Sequence, residues 1–230
     1  ESRAVIERGR PAAAAVRPIG AWQWDVLAAC LAGVVALHGA GNLLNDYFDF
    51  TRGVDRRLDD DEGRPGRFLV RGELAPREVA WEAVVCLAIG AACGAYVVAR
   101  CGVGVLAFAA GALVGLYAYT GPPFALKYRA LGEALIFVVF GPLLVTGAAF
   151  AQTGRVEVAA LAVSIPVGLA TTAILAGNNL RDLAEDRAAG ARTLAGALGP
   201  RAGAALYAGL VLGAAGVTAA LGAAGWAGGW

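Results

Sequence analysis

The sequence is poor in charged side chains, contains no methionine, and has a single histidine, His38, and a single lysine, Lys127. Charged residues make up 16% of the 230 residues, whereas soluble domains carry about 25%. This deficit excludes an ordinary soluble globular domain and a disordered chain. The 19 basic and 18 acidic residues leave a net charge of +1. The chain therefore lacks the bulk positive charge with which nucleic-acid-binding proteins attract their partner.

Metal sites built from cysteine are excluded as well. The four cysteines, Cys30, Cys86, Cys93 and Cys101, lie inside apolar stretches, at spacings that match no zinc-binding pattern. They are predicted to be free thiols that pack as small hydrophobic side chains.

Long apolar runs are abundant: 58% of the residues are hydrophobic and the mean hydropathy is +0.62. A helix needs roughly 20 apolar residues to cross the hydrocarbon core of a bilayer. Six runs near or above this length contain no Asp, Glu, Lys or Arg, namely 26–45, 83–99, 101–126, 134–154, 158–180 and 202–230. Strands of a membrane barrel would alternate apolar and polar residues, and these runs do not. The sequence predicts an all-α, polytopic transmembrane helix bundle that forms one membrane-embedded domain over residues 1–230.

The start of this bundle is predicted to be incomplete. The apolar segment 11–23 is short and is interrupted by Arg17, which predicts a foreshortened N-terminal span. Glu1 stands where an initiator methionine would be, and this predicts that the sequence is part of a longer gene product.

Basic residues are distributed very unequally among the predicted loops. The loops at about 46–82, 120–133 and 178–201 hold seven, two and four of them, whereas the loops between hold only Arg100 and Arg155. Lys and Arg concentrate on the cytoplasmic side of membrane proteins. The three basic loops are therefore predicted to face the cytosol, from a multi-pass protein in the inner or plasma membrane of the cell.

Carboxylates and amides concentrate at the predicted cytosolic ends of two runs. In the first cluster, Asn42, Asn45 and Asp49 follow one another at i, i+3 and i+7 and so share one helix face. Asp46 lies three residues before Asp49, which makes it a neighbour on the helix surface.

The second acidic cluster follows the run 158–180. Asp182 and Asp186 are spaced i, i+4, which places both on one helix face, and Asn178 lies one turn earlier. Like charges at this spacing repel, and a shared cation would relieve the repulsion. Carboxylate and amide oxygens suit Mg²⁺, which takes its remaining ligands from water and substrate phosphates. The two clusters together therefore predict a magnesium-dependent diphosphate site.

Other polar side chains near this face have two interpretations each. His38 lies four residues before Asn42 on the same stripe, where it is either inert or functional. Lys127 is either a membrane anchor or a phosphate ligand. Arg67 and Arg181 also have the chemistry to bind phosphate oxygens.

The two clusters resemble the two aspartate-rich motifs of the UbiA-type intramembrane prenyltransferases. The motif segments are 45–49 with Asp55, and 178–182 with Asp186. Three further segments, 119–133, 140–153 and 187–194, are similar to the menaquinone branch of this family, the 1,4-dihydroxy-2-naphthoate polyprenyltransferases. The resemblance covers roughly residues 24–207.

The resemblance implies nine transmembrane helices around a central cavity, so that about two C-terminal spans are missing from this sequence. It implies Mg²⁺-dependent transfer of a polyprenyl group from polyprenyl diphosphate to dihydroxynaphthoate. The products would be demethylmenaquinone, CO₂ and diphosphate.

The resemblance also implies roles for individual residues. Metal binding falls to Asn45, Asp46, Asp49, Asp182 and Asp186. The catalytic set is the same five residues with Lys127 added. For substrate binding the resemblance implies Tyr119, Asn178 and Arg181. The positions of Asn42 and His38 on the stripe of α1, and the charge of Arg67, add these three residues to the substrate-binding set.

Two alternatives stay open. The same fold would serve an enzyme that prenylates another aromatic acceptor, such as 4-hydroxybenzoate or homogentisate. A cation transporter would also place acids in membrane helices, but it predicts acids near the middle of the membrane. The acids of this sequence cluster at helix ends, which argues against transport.

Overall fold

The computed structural model describes residues 22–53, 68–188 and 190–226, and within these ranges the chain forms helices and no strand. Long apolar runs become helices because only a helix satisfies every backbone polar group within one segment in lipid. The helices are α1 (Trp24–Thr51), α2 (Pro76–Cys101), α3 (Val105–Thr120), α4 (Gly132–Thr153), α5 (Val158–Arg181), α6 (Leu183–Ala188), α7 (Leu194–Leu198) and α8 (Pro200–Ala223). A 3₁₀ turn, Leu126–Arg129, joins α3 to α4.

Five of these helices, α1, α2, α4, α5 and α8, are long and apolar enough to cross a membrane. The predicted all-α membrane bundle is therefore confirmed, but the predicted number of six full-length spans is not. The run 101–126 contains only the 16-residue helix α3. Helix α3 is short because Gly102 adopts a positive φ of 90° before it and Pro122 and Pro123, which have no N–H, follow its end.

Helices α1 and α2 form a closely packed antiparallel pair. A Cβ atom on Gly90 of α2 would lie 2.7 Å from Cδ2 of Leu37, and one on Gly33 of α1 would lie 3.1 Å from Cβ of Cys93. Only glycine permits this approach, as is common where membrane helices cross.

Helix α4 packs between α3 and α5. It contains a π-helical turn, Val139–Leu143, that includes Pro142. A Cβ atom on Gly141 would lie 2.8 Å from the carbonyl oxygen of Ser164, so the backbones of α4 and α5 touch. Helix α8 packs along the other side of α5. In order of contact, the bundle runs from α2 through α1, α3, α4 and α5 to α8.

One end of the bundle, here called the closed end, is held by a small apolar cluster of Val26, Val97, Val105 and Ala151. The side chain of Gln152 accepts a hydrogen bond from the backbone N–H of Gln23 at 3.1 Å and links α1 to α4 there. The opposite end, here called the polar end, receives the C-termini of α1 and α5 and the 3₁₀ turn. The described parts of the loops that were predicted to be basic lie at this polar end.

Candidate functional site

Asp49 is the centre of a buried network at the polar end. It is 5% exposed, and its carboxylate accepts hydrogen bonds from Nζ of Lys127 at 2.6 Å and from Nδ2 of Asn45 at 3.2 Å. The hydroxyl of Tyr128 donates to the other carboxylate oxygen. Lys127 also donates to Oδ1 of Asn45 at 3.0 Å. Side chains from two distant segments thus form one closed polar group.

Two local features bring these side chains together. Helix α1 continues to Thr51, past the end of its apolar run, so Asn45 and Asp49 lie one turn apart as predicted. The 3₁₀ turn that carries Lys127 is bounded by two residues in the left-handed region, Ala125 (φ 45°) and Ala130 (φ 57°). With these two changes of chain direction, the turn brings Lys127 against the C-terminal end of α1.

The charge of Lys127 depends on Asp49. Burial of Lys127 is the largest influence on its pKa and disfavours the charged form. The charge and hydrogen bond of Asp49, together with the charges of Tyr119 and Asp186, outweigh it, so the lysine pKa is raised. The buried lysine therefore carries its charge, and its burial favours the phosphate-ligand interpretation over that of a membrane anchor. Its position beside the first acidic cluster fits the predicted role in phosphate binding.

The second acidic cluster lies where α5 ends. Asp182 is the C-cap of α5, and a new short helix begins at Leu183. Asp182 and Asp186 were expected on one uninterrupted helix, which is wrong in detail because the helix breaks at Asp182. The backbone N–H of Asp186 still donates to the carbonyl of Asp182 at 2.9 Å, so the two residues remain one turn apart.

Asp186 connects the two clusters electrostatically. Burial raises the pKa of its carboxyl, and the negative charges of Asp182 and Asp49 act in the same direction. The ammonium of Lys127 and a hydrogen bond from the hydroxyl of Thr193 act in the opposite direction. Asp186 therefore lies close enough to Asp49 and Lys127 to interact with both. The end of α1 and the segment that follows α5 therefore lie near each other at the polar end, and a ligand shared between the two clusters stays a prediction.

Tyr119 lies near both clusters. Its phenol interacts electrostatically with Lys127, Asp49 and Asp186. A Cβ atom on Gly132 would lie 3.3 Å from the Tyr119 ring, so the ring packs against the start of α4.

The remaining predicted residues are more dispersed. His38 precedes Asp49 by eleven residues on α1, which places it about 16 Å farther along the helix axis. Its ring contacts Phe140 edge to face, with centroids 5.6 Å apart. Asn42 and Asn178 are exposed.

Two predicted ligands are placed differently from the others. Asp46 is half-buried on α1. Arg181 donates two hydrogen bonds of 2.8 Å to the neighbouring Asp182 carboxylate and is itself exposed. Arg67, and Asp55 of the first motif, lie outside the described residues.

Sequence reasoning missed three polar groups. Tyr128 and Thr193 both contact predicted carboxylates, as described above. The third is a buried pair, in which Nδ2 of Asn179 donates to Oε1 of Glu133 at 2.9 Å. Glu133 and Asn179 are 5% and 7% exposed. A signal for this pair exists in the sequence, because Glu133 is the only carboxylate between residues 83 and 156.

The donor chemistry of the polar end suits a magnesium ion bound together with a phosphate ligand. Within the described ranges, no group of three His, Cys, Asp or Glu side chains is close enough to hold a metal by itself. Mg²⁺ seldom needs such a cage, since it usually takes one or two carboxylates plus substrate phosphates. Asp49 supplies a carboxylate from the last turn of α1, and Asp182 and Asp186 supply two more at and after the end of α5. These residues fit a metal that arrives with its diphosphate.

Comparison with known proteins agrees with this geometry. The profile of the UbiA prenyltransferase family matches residues 11–230. UbiA prenyltransferase domain-containing protein 1 of Rattus norvegicus is 39% identical over 198 residues, which are 85% of this chain and 57% of the rat protein. The Homo sapiens protein of the same name is 40% identical over 191 residues, 82% of this chain and 55% of its own.

A more distant relative, the Drosophila melanogaster homolog of that protein, is 37% identical over 184 residues, 76% of this chain and 48% of its own. The chain thus spans about half the length of the curated relatives it matches. The profile match extends over nearly the whole chain and includes both acidic clusters. This multi-pass membrane protein therefore belongs to the UbiA prenyltransferase family.

Proposed function

We propose that the protein transfers a polyprenyl group from polyprenyl diphosphate to an aromatic acceptor in a Mg²⁺-dependent reaction. The observation that supports this best is the approach of Asp186 to the Asp49–Lys127 pair. Two acidic helix ends from distant parts of the chain meet beside a buried cation. This combination suits a metal-bound diphosphate better than a metal alone.

The roles of the side chains follow from their charge and position. Asp49, Asp182 and Asp186, with Asn45 and Asp46 on α1, would hold Mg²⁺. When bound, Mg²⁺ neutralises charge on the diphosphate and so makes it a better leaving group. Lys127 adds a fixed positive charge beside the same phosphates, and Tyr119 lies near both clusters.

The bond changes are those of an allylic substitution. The carbon–oxygen bond to diphosphate breaks, and the leaving diphosphate keeps the electron pair. Positive charge that develops on the allylic carbon is shielded from water by the apolar walls of the bundle. The electron-rich ring of the acceptor forms the new carbon–carbon bond. With a ring carboxylate as leaving group, CO₂ departs and its electron pair restores the aromatic ring.

For the acceptor, we propose 1,4-dihydroxy-2-naphthoate, which would give demethylmenaquinone. This choice rests on the similarity of segments 119–133, 140–153 and 187–194 to the menaquinone branch. The names of the matched relatives state no acceptor. 4-Hydroxybenzoate and homogentisate are the competing acceptors, and substitution on either ring would release a ring proton in place of a ring carboxylate.

The polar end is proposed to face the cytosol. This orientation rests on the excess of Lys and Arg in the loops at that end. The matched relatives come from animals, so they lend no support to a bacterial inner membrane, and the proposed plasma membrane location rests on the sequence alone.

An assay with isolated membranes tests the proposal. Membranes that contain the protein are incubated with a polyprenyl diphosphate, each of the three acceptors in turn, and either Mg²⁺ or EDTA. We expect Mg²⁺-dependent prenylation, fastest with dihydroxynaphthoate, and a loss of at least about a hundredfold in Asp49→Asn and Asp186→Asn. Full turnover in either variant, or equal turnover in EDTA, would overturn the proposed site. A different preferred acceptor would overturn only the choice of substrate.

A further inference from the structure

Arg52 lies next to the Asp49 network but takes no part in it. It is the first residue after α1, three residues beyond Asp49 and four beyond Phe48. Its guanidinium carbon lies 5.0 Å from the ring centroid of Tyr128 and 5.7 Å from that of Phe48. One ring belongs to α1 and the other to the 3₁₀ turn, so the guanidinium is held where these two elements meet.

Arg52 differs from Lys127 and Arg181 because its guanidinium contacts aromatic rings and not carboxylates. Lys127 donates to Asp49 and Asn45, and Arg181 donates twice to Asp182. The contacts of Arg52 are with ring faces, and its five N–H donors have no acceptor among residues 22–53, 68–188 and 190–226. Arg52 is therefore an exposed cation that rests against two aromatic rings and has no side-chain hydrogen bond to the part of the chain that the structure describes.

The ring that holds Arg52 is itself held by the acidic cluster. The hydroxyl of Tyr128 donates to the Asp49 carboxylate, while its ring contacts the guanidinium of Arg52. The arginine is thus positioned relative to Asp49 by a single side chain. Lys127 also contacts the Tyr128 ring, with its Nζ 5.6 Å from the centroid. Tyr128 therefore contacts both cations with its ring and the Asp49 carboxylate with its hydroxyl.

Once the allylic carbon–oxygen bond has broken, the leaving diphosphate carries one more negative charge than a magnesium ion and a lysine together neutralise. Arginine presents a planar fork of donors that matches two phosphate oxygens at once, and it stays charged at any physiological pH. Aromatic contacts keep such a fork ordered before the ligand arrives, which reduces the entropy lost on binding.

We infer that Arg52, held between Phe48 and Tyr128, is a diphosphate-binding residue of this protein, and that Tyr128 positions it. This inference rests on the proposed function, since it names a further residue for the same substrate. It assigns to Arg52 the role that the sequence suggests for Arg181, whose donors are already committed to Asp182.

The test measures binding of inorganic pyrophosphate with Mg²⁺ to the purified full-length protein in detergent, together with steady-state kinetics. In Arg52→Gln we expect the pyrophosphate Kd and the KM for polyprenyl diphosphate to rise about ten- to a hundredfold. The KM for the aromatic acceptor should stay unchanged. Arg52→Lys keeps the charge but loses the planar fork, so its pyrophosphate Kd and its KM for polyprenyl diphosphate should lie between those of the wild type and of Arg52→Gln.

Arg77→Gln is the matched control. Arg77 is another exposed arginine at the polar end, in the first turn of α2 beside Trp81 and Tyr47. The Arg77→Gln variant should bind pyrophosphate with the affinity of the wild type. Thermal unfolding of each variant checks that the protein is folded.

The outcomes separate the two proposals. If the wild type binds pyrophosphate with Mg²⁺ and folded Arg52→Gln binds it equally well, the inference about Arg52 is wrong while the proposed function stands. If the wild type neither binds pyrophosphate nor transfers a prenyl group, the proposed function is wrong and the role of Arg52 is lost with it.

Discussion

The two acidic clusters meet at the same end of the bundle but are built differently. In the first, Asp49 is buried and accepts hydrogen bonds from Lys127, Asn45 and Tyr128, which leaves one oxygen of its carboxylate able to accept a further ligand. In the second, Asp182 pairs with an exposed neighbouring arginine, and Asp186 carries a raised pKa because it is buried near other carboxylates. One cluster is held by hydrogen bonds before any ligand binds, whereas the other is held in an electrostatically unfavourable state.

This difference indicates how the site would work. A carboxylate that is held by three hydrogen bonds beside a buried cation provides a rigid position for a ligand. A carboxylate that is destabilised by like charges gains from the arrival of a metal cation, because the cation removes the repulsion. Binding of the substrate with its metal would therefore stabilise the second cluster more than the first.

The largest effect is expected when the first cluster is broken. Lys127→Met leaves Asp49 buried without its cation, and removing one partner of a buried ion pair destabilises a protein by about 3–5 kcal/mol. We expect loss of prenyl transfer together with a clear fall in the thermal unfolding temperature in detergent.

The double variant Lys127→Met/Asp49→Asn separates folding from function. It removes both charges, so much of the stability should return, while prenyl transfer stays absent because the site has lost its cation and its carboxylate. Recovery of activity in the double variant would show that the pair has only a structural role.

A smaller effect is expected from the buried pair between α4 and α5. Asn179→Ala leaves the Glu133 carboxylate buried without its donor, at a cost of about 1–3 kcal/mol. Glu133→Gln keeps an oxygen acceptor and should be milder. Thermal unfolding of both variants measures this, and a Glu133→Gln variant less stable than Asn179→Ala would contradict the assigned hydrogen bond.

The tyrosine of the first cluster has a natural counterpart at the closed end. Tyr128 donates to buried Asp49, whereas Tyr96 donates to exposed Asp25 at 2.7 Å. Tyr128→Phe should cost about 1 kcal/mol of stability and weaken substrate binding. Tyr96→Phe should leave prenyl transfer unchanged. If the two variants change the kinetics and the unfolding temperature equally, the claim that only the tyrosine at the polar end serves the site is wrong.

The smallest effect concerns the pH dependence of stability. The pKa of Asp186 is raised above its ordinary value of 3.8, so the folded protein binds this proton more tightly than the unfolded chain. Stability from this group is full below that ordinary value and is lost as pH rises through the folded-state pKa. Since Asp186 is half-buried, solvent reduces the effect.

Thermal unfolding of Asp186→Asn and the wild type over a range of pH, in metal-free buffer with EDTA, measures this contribution to stability. The variant should be more stable than the wild type near neutral pH, and the difference should shrink as the pH is lowered. A variant that is less stable at neutral pH would contradict the unfavourable state assigned to the second cluster.

Much of the fold could be predicted because it depends on local patterns. The apolar runs predict the helices, and the spacing of Asn45 and Asp49 predicts their contact, since both lie on one helix. The prediction failed where a break in the helix overrode the pattern. Gly121 and the two prolines after it shorten α3, and the chain bends at Asp182.

The site was predictable in its acids and much less so in their partners. Lys127 reaches Asp49 across 78 residues of sequence, through a turn with two left-handed alanines that no hydrophobic period reveals. Thr193 and the Glu133–Asn179 pair are likewise contacts between separate segments. Such contacts depend on how helices pack, and the sequence shows only that a lone carboxylate in an apolar stretch needs a partner.

The central claim is that the two clusters bind one ligand, and pyrophosphate affinity in the presence of Mg²⁺ tests it most directly. The measurement compares the wild type with Asp49→Asn, Asp186→Asn and the double variant. A shared ligand predicts that each single variant loses about tenfold or more in affinity and that the losses in the double variant are not additive. Wild-type affinity in either single variant, or strictly additive losses, would show that the clusters act separately and would contradict the account.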